Sequence, residues 1–150
     1  MRGFEGLEFS IEVDNQRDVA EIAGKLEVFS CGDEVEAVFY SEDGAQGLLE
    51  GRYENNRKCF VLSSIEASKL GRGIGTYLFS RLAEDLNWVE VRCGFADSNQ
   101  YVFENEVNAG CSFEEALEKV PMVKIMSACG FVYFHCEILD TGLVVLSAYK

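Results

Sequence analysis

The sequence predicts an α/β fold of the mixed α+β kind: a mostly antiparallel central sheet flanked by helices, in one domain over residues 1–150. Three observations carry that prediction. At 150 residues, 48% hydrophobic and 26% charged, the chain has the size and composition of one globular unit able to bury a core. Strand-like runs dominate, and three follow one another with only short turns between them, as in an antiparallel meander. One stretch, "SSIEASKLGRGIGTYLF" (63–79), leaves a strand through closely spaced glycines and enters a helix.

In chain order, "LEFSIEV" at 7–13 alternates as a half-buried strand does. Over 15–29, Val19, Ile22, Ala23 and Leu26 recur at helical spacing, which predicts an amphipathic helix. Three strands are expected at 35–40, 47–53 and 58–65, parted by the turn-formers "SEDGA" and "ENN". Beyond the glycines, Ile74, Leu78, Leu82 and Leu86 recur every four residues, widened by Phe79 and Ala83, so a helix is expected over 75–87. "WVEVRCGF" at 88–95 reads as a strand, with Trp88 as a core anchor, and the polar, aperiodic 97–110 as a long loop. "SFEE" at 112–115 has the form of a capping box and predicts a short helix. Pro121 suits the first turn of a further helix, which Gly130 ends as a left-handed cap. "FVYFHCEIL" and "LVVLSAY" flank "DTG" and read as a terminal hairpin.

Composition excludes several function classes. Net charge is −13, which opposes nonspecific binding of nucleic acid through its phosphates. The charge is uneven: residues 51–81 carry six basic side chains against Glu54 and Glu66, a net +4, so the remainder carries −17. A basic window in an acidic body suits a small anionic ligand there, while the outer surface favours cationic partners; solubility alone is the other reading of the acids. No segment approaches the roughly 18 uncharged apolar residues of a membrane-spanning helix. "MRGFEGLEFS" does not read as a signal peptide, so a cytoplasmic protein is expected. Cys31, Cys59, Cys93, Cys111, Cys129 and Cys136 are scattered, several within apolar runs, which reads as reduced thiols rather than a disulfide framework. With no Cys-x-x-Cys and His135 as the single histidine, no metal site is expected. His135 and Cys136 are neighbours on a strand, so they point to opposite faces and cannot form a Cys–His pair.

The glycine stretch has the form of an anion cradle. The first amides of a helix point at a ligand, the helix dipole favours negative charge there, and glycines let the backbone come close. Lys69 and Arg72 add positive charge at its mouth. A Walker A loop would continue Gly-Lys-Ser/Thr, but Gly75 is followed by Thr76 and Tyr77; the dinucleotide fingerprint would need glycine at Thr76. "KLGRGIGTYLF" instead resembles the motif of the GNAT superfamily of N-acetyltransferases, which runs Arg or Gln, two variable residues, Gly, one variable residue, then Gly or Ala. Gly73, Ile74 and Gly75 match its last three positions, and Gly71 and Arg72 its variable pair; Leu70 stands where Arg or Gln is expected, with Lys69 one residue early. The order of elements above resembles that family along nearly the whole chain, as does Gly130–Phe131 before the terminal hairpin, whereas the 97–119 segment is longer than usual.

The resemblance implies a sheet that splays at the site of acetyl-CoA, the co-substrate. The amides of Arg72, Gly73, Ile74, Gly75 and Thr76 would hold its pyrophosphate, and backbone groups from Ile65 to Ala67 would pair with the pantetheine arm. The acyl carbon would then sit near residues 63–65. Glu66, at the end of the loop strand, is the first candidate for the general base, with Glu50 and Glu54 as alternatives; a merely solvated carboxylate is the competing reading. The family's usual proton donor is a tyrosine at the position of Met126; Ser127 and Tyr101 are the other hydroxyls to consider.

The function implied is an N-acetyltransferase acting on an amine of a cationic acceptor, either a small polyamine-like molecule or a protein lysine or N-terminus. The six acids against one lysine in 97–119 could wall such a site. The alternative is a catalytically weak or inactive module of the same fold that binds acyl-CoA or a basic partner protein. A DNA-mimicking inhibitor rests on the net charge alone, and the basic window opposes it. Neither direct nucleic acid binding nor membrane association is expected, and the open edges of a small sheet are compatible with a homodimer.

Overall fold

The computed structural model describes residues 1, 3–69 and 73–150. Eight strands, β1 (Glu8–Glu12), β2 (Gly24–Cys31), β3 (Glu34–Ser41), β4 (Gln46–Glu54), β5 (Cys59–Ala67), β6 (Glu90–Gly94), β7 (Tyr133–Ile138) and β8 (Val144–Tyr149), form one sheet. The helices are α1 (Ile74–Asp85), α2 (Asp97–Asn108), α3 (Phe113–Glu118) and α4 (Pro121–Ala128). Across the sheet the order is β1-β7-β8-β6-β5-β4-β3-β2. Every neighbouring pair is antiparallel except β5 with β6.

The sheet buries one face and leaves the other open. On β4, Gly47, Leu49 and Gly51 are buried while Leu48 and Glu50 are only half-buried; on β8, Val144, Leu146 and Ala148 are buried and alternate with half-buried residues. The buried face meets α1 through Phe60, Trp88 and Phe79: Trp88 stacks on Phe60 at 3.9 Å between centroids and meets Phe79 edge-on at 5.6 Å. At the other end of the sheet, Phe103 of α2 lies 6.2 Å from Phe9 of β1, 6.1 Å from Phe95 and 6.2 Å from Phe113.

Two sequence expectations are corrected. No helix occupies 15–29: residues 14–23 have no regular structure and Gly24–Cys31 is the edge strand β2, in register with β3 from Gly24↔Ser41 to Cys31↔Glu34. The apolar spacing there fits a helix, but Gly32 and Asp33 make a two-residue hairpin loop with Gly32 at φ 63°, and that turn commits the preceding residues to pairing. The 97–110 stretch is not a loop; most of it is α2, whose single fully buried residue is Phe103. One aromatic anchor suffices to hold the helix but leaves no stripe to detect.

The other elements fall where their patterns put them. Ser112 Oγ accepts from the Glu115 amide at 3.1 Å, Pro121 opens α4, and Gly130 has φ 95°. All six cysteines are free thiols.

Candidate active site

A bulge in β5 sets the geometry. β4 pairs with β5 as Glu50↔Ser64 and then Gly51↔Leu62, which leaves Ser63 without an opposite residue. The extra residue reverses the alternation, so Phe60 and Leu62 before it and Ile65 and Ala67 after it share the face toward α1, while Ser64 and Glu66 lie on the open face beside Glu50 and Leu48. The parallel pairing with β6 stops at the same point, at Leu62↔Cys93. From Ser63 to Ala67, therefore, β5 is paired with β4 alone, and its other backbone edge is freed from the sheet.

That free edge leads to the start of α1. Gly73 is the N-cap residue, left-handed at φ 72°, ψ 12°, and a Cβ built on it would meet nothing within 4 Å. Side chains disfavour that backbone, and glycine does not. The first helical hydrogen bond runs from Tyr77 N to the Gly73 carbonyl at 2.9 Å, so the amides of Ile74, Gly75 and Thr76 precede any intrahelical acceptor. No side chain caps this end and no acidic residue occupies the first turn. In contrast, α3 is capped by Ser112 and opens with Glu114 and Glu115.

A cleft of about 290 Å³ opens between the free edge and this helix end. Ile65, Glu66, Ala67 and Lys69 form one side, Gly73, Ile74, Gly75 and Thr76 the floor, and Ser98 and Asn99 of α2 with Pro121, Met122 and Ile125 of α4 the far wall. A Cβ on Gly75 would lie 3.8 Å from Ile125 Cδ1 and 3.9 Å from Ile65 Cδ1, so glycine leaves room between two isoleucines. Of the residues singled out in the sequence, Ile65, Glu66, Ala67, Gly73, Ile74, Gly75 and Thr76 are thus brought to one cleft. Arg72, like Leu70 and Gly71, lies outside the described residues.

The far wall is what the sequence did not announce. Asn99 Oδ1 accepts from the Met122 amide at 3.0 Å, capping α4 from another helix because Val120, its own N-cap residue, has no polar side chain. Nothing local to residue 99 or 122 signals that bond. Pro121 was legible as a helix start, but not as part of a cleft.

The candidate bases separate by position. Glu66 borders both the cleft and a hollow on the open face that it shares with Glu36 and Leu48. Glu50 lines a second open-face hollow of about 390 Å³ with Ser63 and Arg52. Glu54 sits at the far end of β4, opposite Cys59, with its carboxylate 3.1 Å from Arg52 Nη2. Of the positions considered for a proton donor, Met126, which has no proton to give, is fully buried in the core, Ser127 is buried and donates to the Lys124 carbonyl at 3.2 Å, and Tyr101 is 68% exposed on α2. The hydroxyls that do line the cleft are Thr76 and Ser98. Beneath the helix end, Cys129 Sγ donates to the Thr76 carbonyl at 3.7 Å, and burial pushes this thiol up to about 11. His135 faces Ser10 (Nδ1 to Oγ 2.9 Å) and Glu8 (3.6 Å), whereas Cys136 is fully buried and raised by desolvation to about 12, so the two are indeed parted.

The fold is similar to that of a solved acetyltransferase, as the resemblance of "KLGRGIGTYLF" implied. No protein-family model matches the sequence, and no curated protein matches it. Solved structures do match. A Bacillus subtilis acetyltransferase in complex with CoA superposes over 85% of this chain and 99% of its own, with a TM-score of 0.50 and 11% identity. Nourseothricin acetyltransferase aligns over 98% of this chain and 91% of its own, with a TM-score of 0.43 and 14% identity.

Proposed function

We propose that the protein is an N-acetyltransferase that moves an acetyl group from acetyl-CoA to an amine of a cationic acceptor. The observation that carries this reading is the uncapped N-terminus of α1 opening onto a cleft whose other side is the unpaired edge of β5. In this reading the amides of Gly73, Ile74, Gly75 and Thr76 bind the pyrophosphate, favoured by the helix dipole and by Lys69 at the rim. The backbone of Ile65 and Ala67 pairs with the pantetheine arm as a missing strand would. Met122 and Ile125 give the arm an apolar wall.

The thioester then ends near residues 63–65, at the bulge in β5. An amine reaching this point from the open face meets Glu66 and Glu50, of which Glu66 borders both sides. A carboxylate there favours cationic acceptors and takes the proton that the attacking amine must lose. Thr76 and Ser98 are the cleft hydroxyls available to the departing thiolate. Holding amine and thioester in line supplies much of the rate, so a modest acid–base set is sufficient.

A second reading has its own support: a module that binds acyl-CoA or a basic protein without turnover. Met126 is fully buried, and no tyrosine, histidine or cysteine lines the cleft among the described residues. Calorimetric titration with CoA and acetyl-CoA, against wild type and Gly73→Glu, tests the part common to both readings. Micromolar binding that Gly73→Glu abolishes, in a variant whose circular dichroism remains native, is expected. Absence of binding by the wild type overturns the transferase and the acyl-CoA module, and leaves only a module for a basic protein. Release of CoA thiol in the presence of a panel of polyamines and lysine peptides separates them: turnover supports the transferase, and binding without turnover supports the module.

A further inference from the structure

The corner between α2 and α3 brings a thiol, an amine and a carboxylate together, away from the cleft. Its local geometry follows from the way α2 ends. The Gly110 amide bonds to the Val107 carbonyl at 3.1 Å and the Cys111 amide to the Glu106 carbonyl at 3.0 Å, with Gly110 at φ 103°. This is a Schellman ending, in which the residue after the left-handed glycine is folded back onto the residue five positions earlier. That contact is usually apolar. Here Cys111 Sγ lies 3.3 Å from Glu106 Oε2. α3 then returns Lys119, its C-cap residue, to the same place: Lys119 Nζ donates to Glu106 Oε2 at 3.1 Å and lies 3.5 Å from Cys111 Sγ.

We propose that Cys111 and Lys119 form an oxidation-dependent covalent site, in which peroxide oxidises the thiol and the lysine amine captures the product as a sulfur–nitrogen cross-link. In the first step the Cys111 thiolate attacks hydrogen peroxide: an S–O bond forms, the O–O bond breaks and hydroxide leaves, giving a sulfenic acid. In the second, Lys119 Nζ, having released its proton to solvent water, attacks the sulfenyl sulfur; an S–N bond forms, the S–O bond breaks and water leaves. Thiol, amine and peroxide thus become one S–N link and two waters, with sulfur oxidised by two electrons and peroxide reduced. Cys111 is partly exposed, which admits peroxide, and Lys119 is half exposed on a flexible stem that can close the remaining gap. Glu106 holds the amine beside the sulfur. The hydrogen bond from Lys119, and then that from Cys111, hold the Glu106 carboxyl below the usual carboxylate range, and the hydrogen bond to Glu106 raises Lys119, so the pair stays ionised and the amine stays beside the sulfur. Cys31 supplies an internal reference: it is exposed and hydrogen-bonds to no lysine among the described residues.

The test is peroxide treatment of the full chain, followed by intact-mass measurement and peptide mapping, in wild type, Cys111→Ser and Lys119→Arg. The wild type is expected to lose two hydrogens, to yield a linked peptide joining residues 111 and 119, and to return to its starting mass under a dithiol reductant. Both variants should lose the linked peptide, and in Lys119→Arg a dimedone adduct should collect on Cys111. Dimedone labelling or over-oxidation of wild-type Cys111 at the level of Lys119→Arg, without a linked peptide, would overturn the proposal. So would lysine links to Cys31 at equal yield, because the reaction would then not depend on this corner.

Discussion

Glu66 is the residue on which the proposed chemistry turns. It is set apart from the other acids by the bulge at Ser63, which directs it to the open face while its backbone borders the cleft. Glu66→Gln keeps the size of the side chain and removes the base, so kcat toward an amine acceptor should fall by about 10²–10⁴-fold with CoA affinity unchanged. Glu54→Gln, at the far end of β4 and paired with Arg52, should leave kcat within about twofold, measured in the same thiol-release assay. A wild-type rate in Glu66→Gln together with a loss in Glu50→Gln would move the base one strand over. At Gly73 the constraint is conformational rather than steric. Gly73→Ala has open space for its methyl but must hold φ 72°, so a loss of about 1–2 kcal/mol is expected in denaturant melts. Both residues were legible as candidates, Gly73 from the glycine spacing and Glu66 from its place after the strand. The direction of Glu66 was not, because an inserted residue in a ladder has no signature in "VLSSIEA".

At the scale of elements, helix ends explain more than helix faces. α3 has six residues and is held by its cap: Ser112→Ala should destabilise the protein by about 1 kcal/mol while leaving CoA titrations unchanged, since α3 does not line the cleft. Asn99→Ala removes the tertiary cap of α4 and one residue of the cleft wall together, so it should weaken both thermal stability and CoA binding. Calorimetric titrations beside melting curves distinguish the two variants. The capping box "SFEE", Pro121 and Gly130 were each readable because caps are written in adjacent residues. The edge strand β2 and the helix α2 were not. β2 owes its state to pairing with β3 across the Gly32–Asp33 turn, and α2 to one phenylalanine set among Phe9, Phe95 and Phe113.

At the scale of the whole molecule, buried thiols contribute a loss of stability at alkaline pH. Desolvation raises Cys59 to about 11 and Cys93 to about 12, and likewise Cys129 to about 11 and Cys136 to about 12, each from 9.0. The folded chain keeps these protons at a pH where the unfolded chain releases them, so the unfolded state binds fewer protons above pH 9 and unfolding becomes easier as pH rises. Their contribution is whole below about 9 and disappears between about 9 and 12. Thermal midpoints under reductant should therefore drop over that interval, and the drop should be shallower in Cys136→Ala, whatever its midpoint at neutral pH. An equal slope in that variant would assign the alkaline loss to other groups, the self-repulsion of an acidic chain first among them.

The amino-acid sequence by itself determined the class of fold, the meander and terminal hairpin, and the glycine-floored start of α1, because periodicity, turn residues and caps act between near neighbours in the chain. Tertiary structure decided the rest. It placed β1 at the far edge of the sheet beside β7, made 24–31 a strand and 97–108 a helix, reversed the alternation of β5 at Ser63, and closed the cleft with Asn99, Met122 and Ile125. The place of β1, the state of α2 and the closing of the cleft depend on partners from distant parts of the chain, and β2 and the bulge on the facing strand of a hairpin. A backbone hydrogen bond or one buried ring obtained there outweighs a local preference worth a few tenths of a kcal/mol per residue.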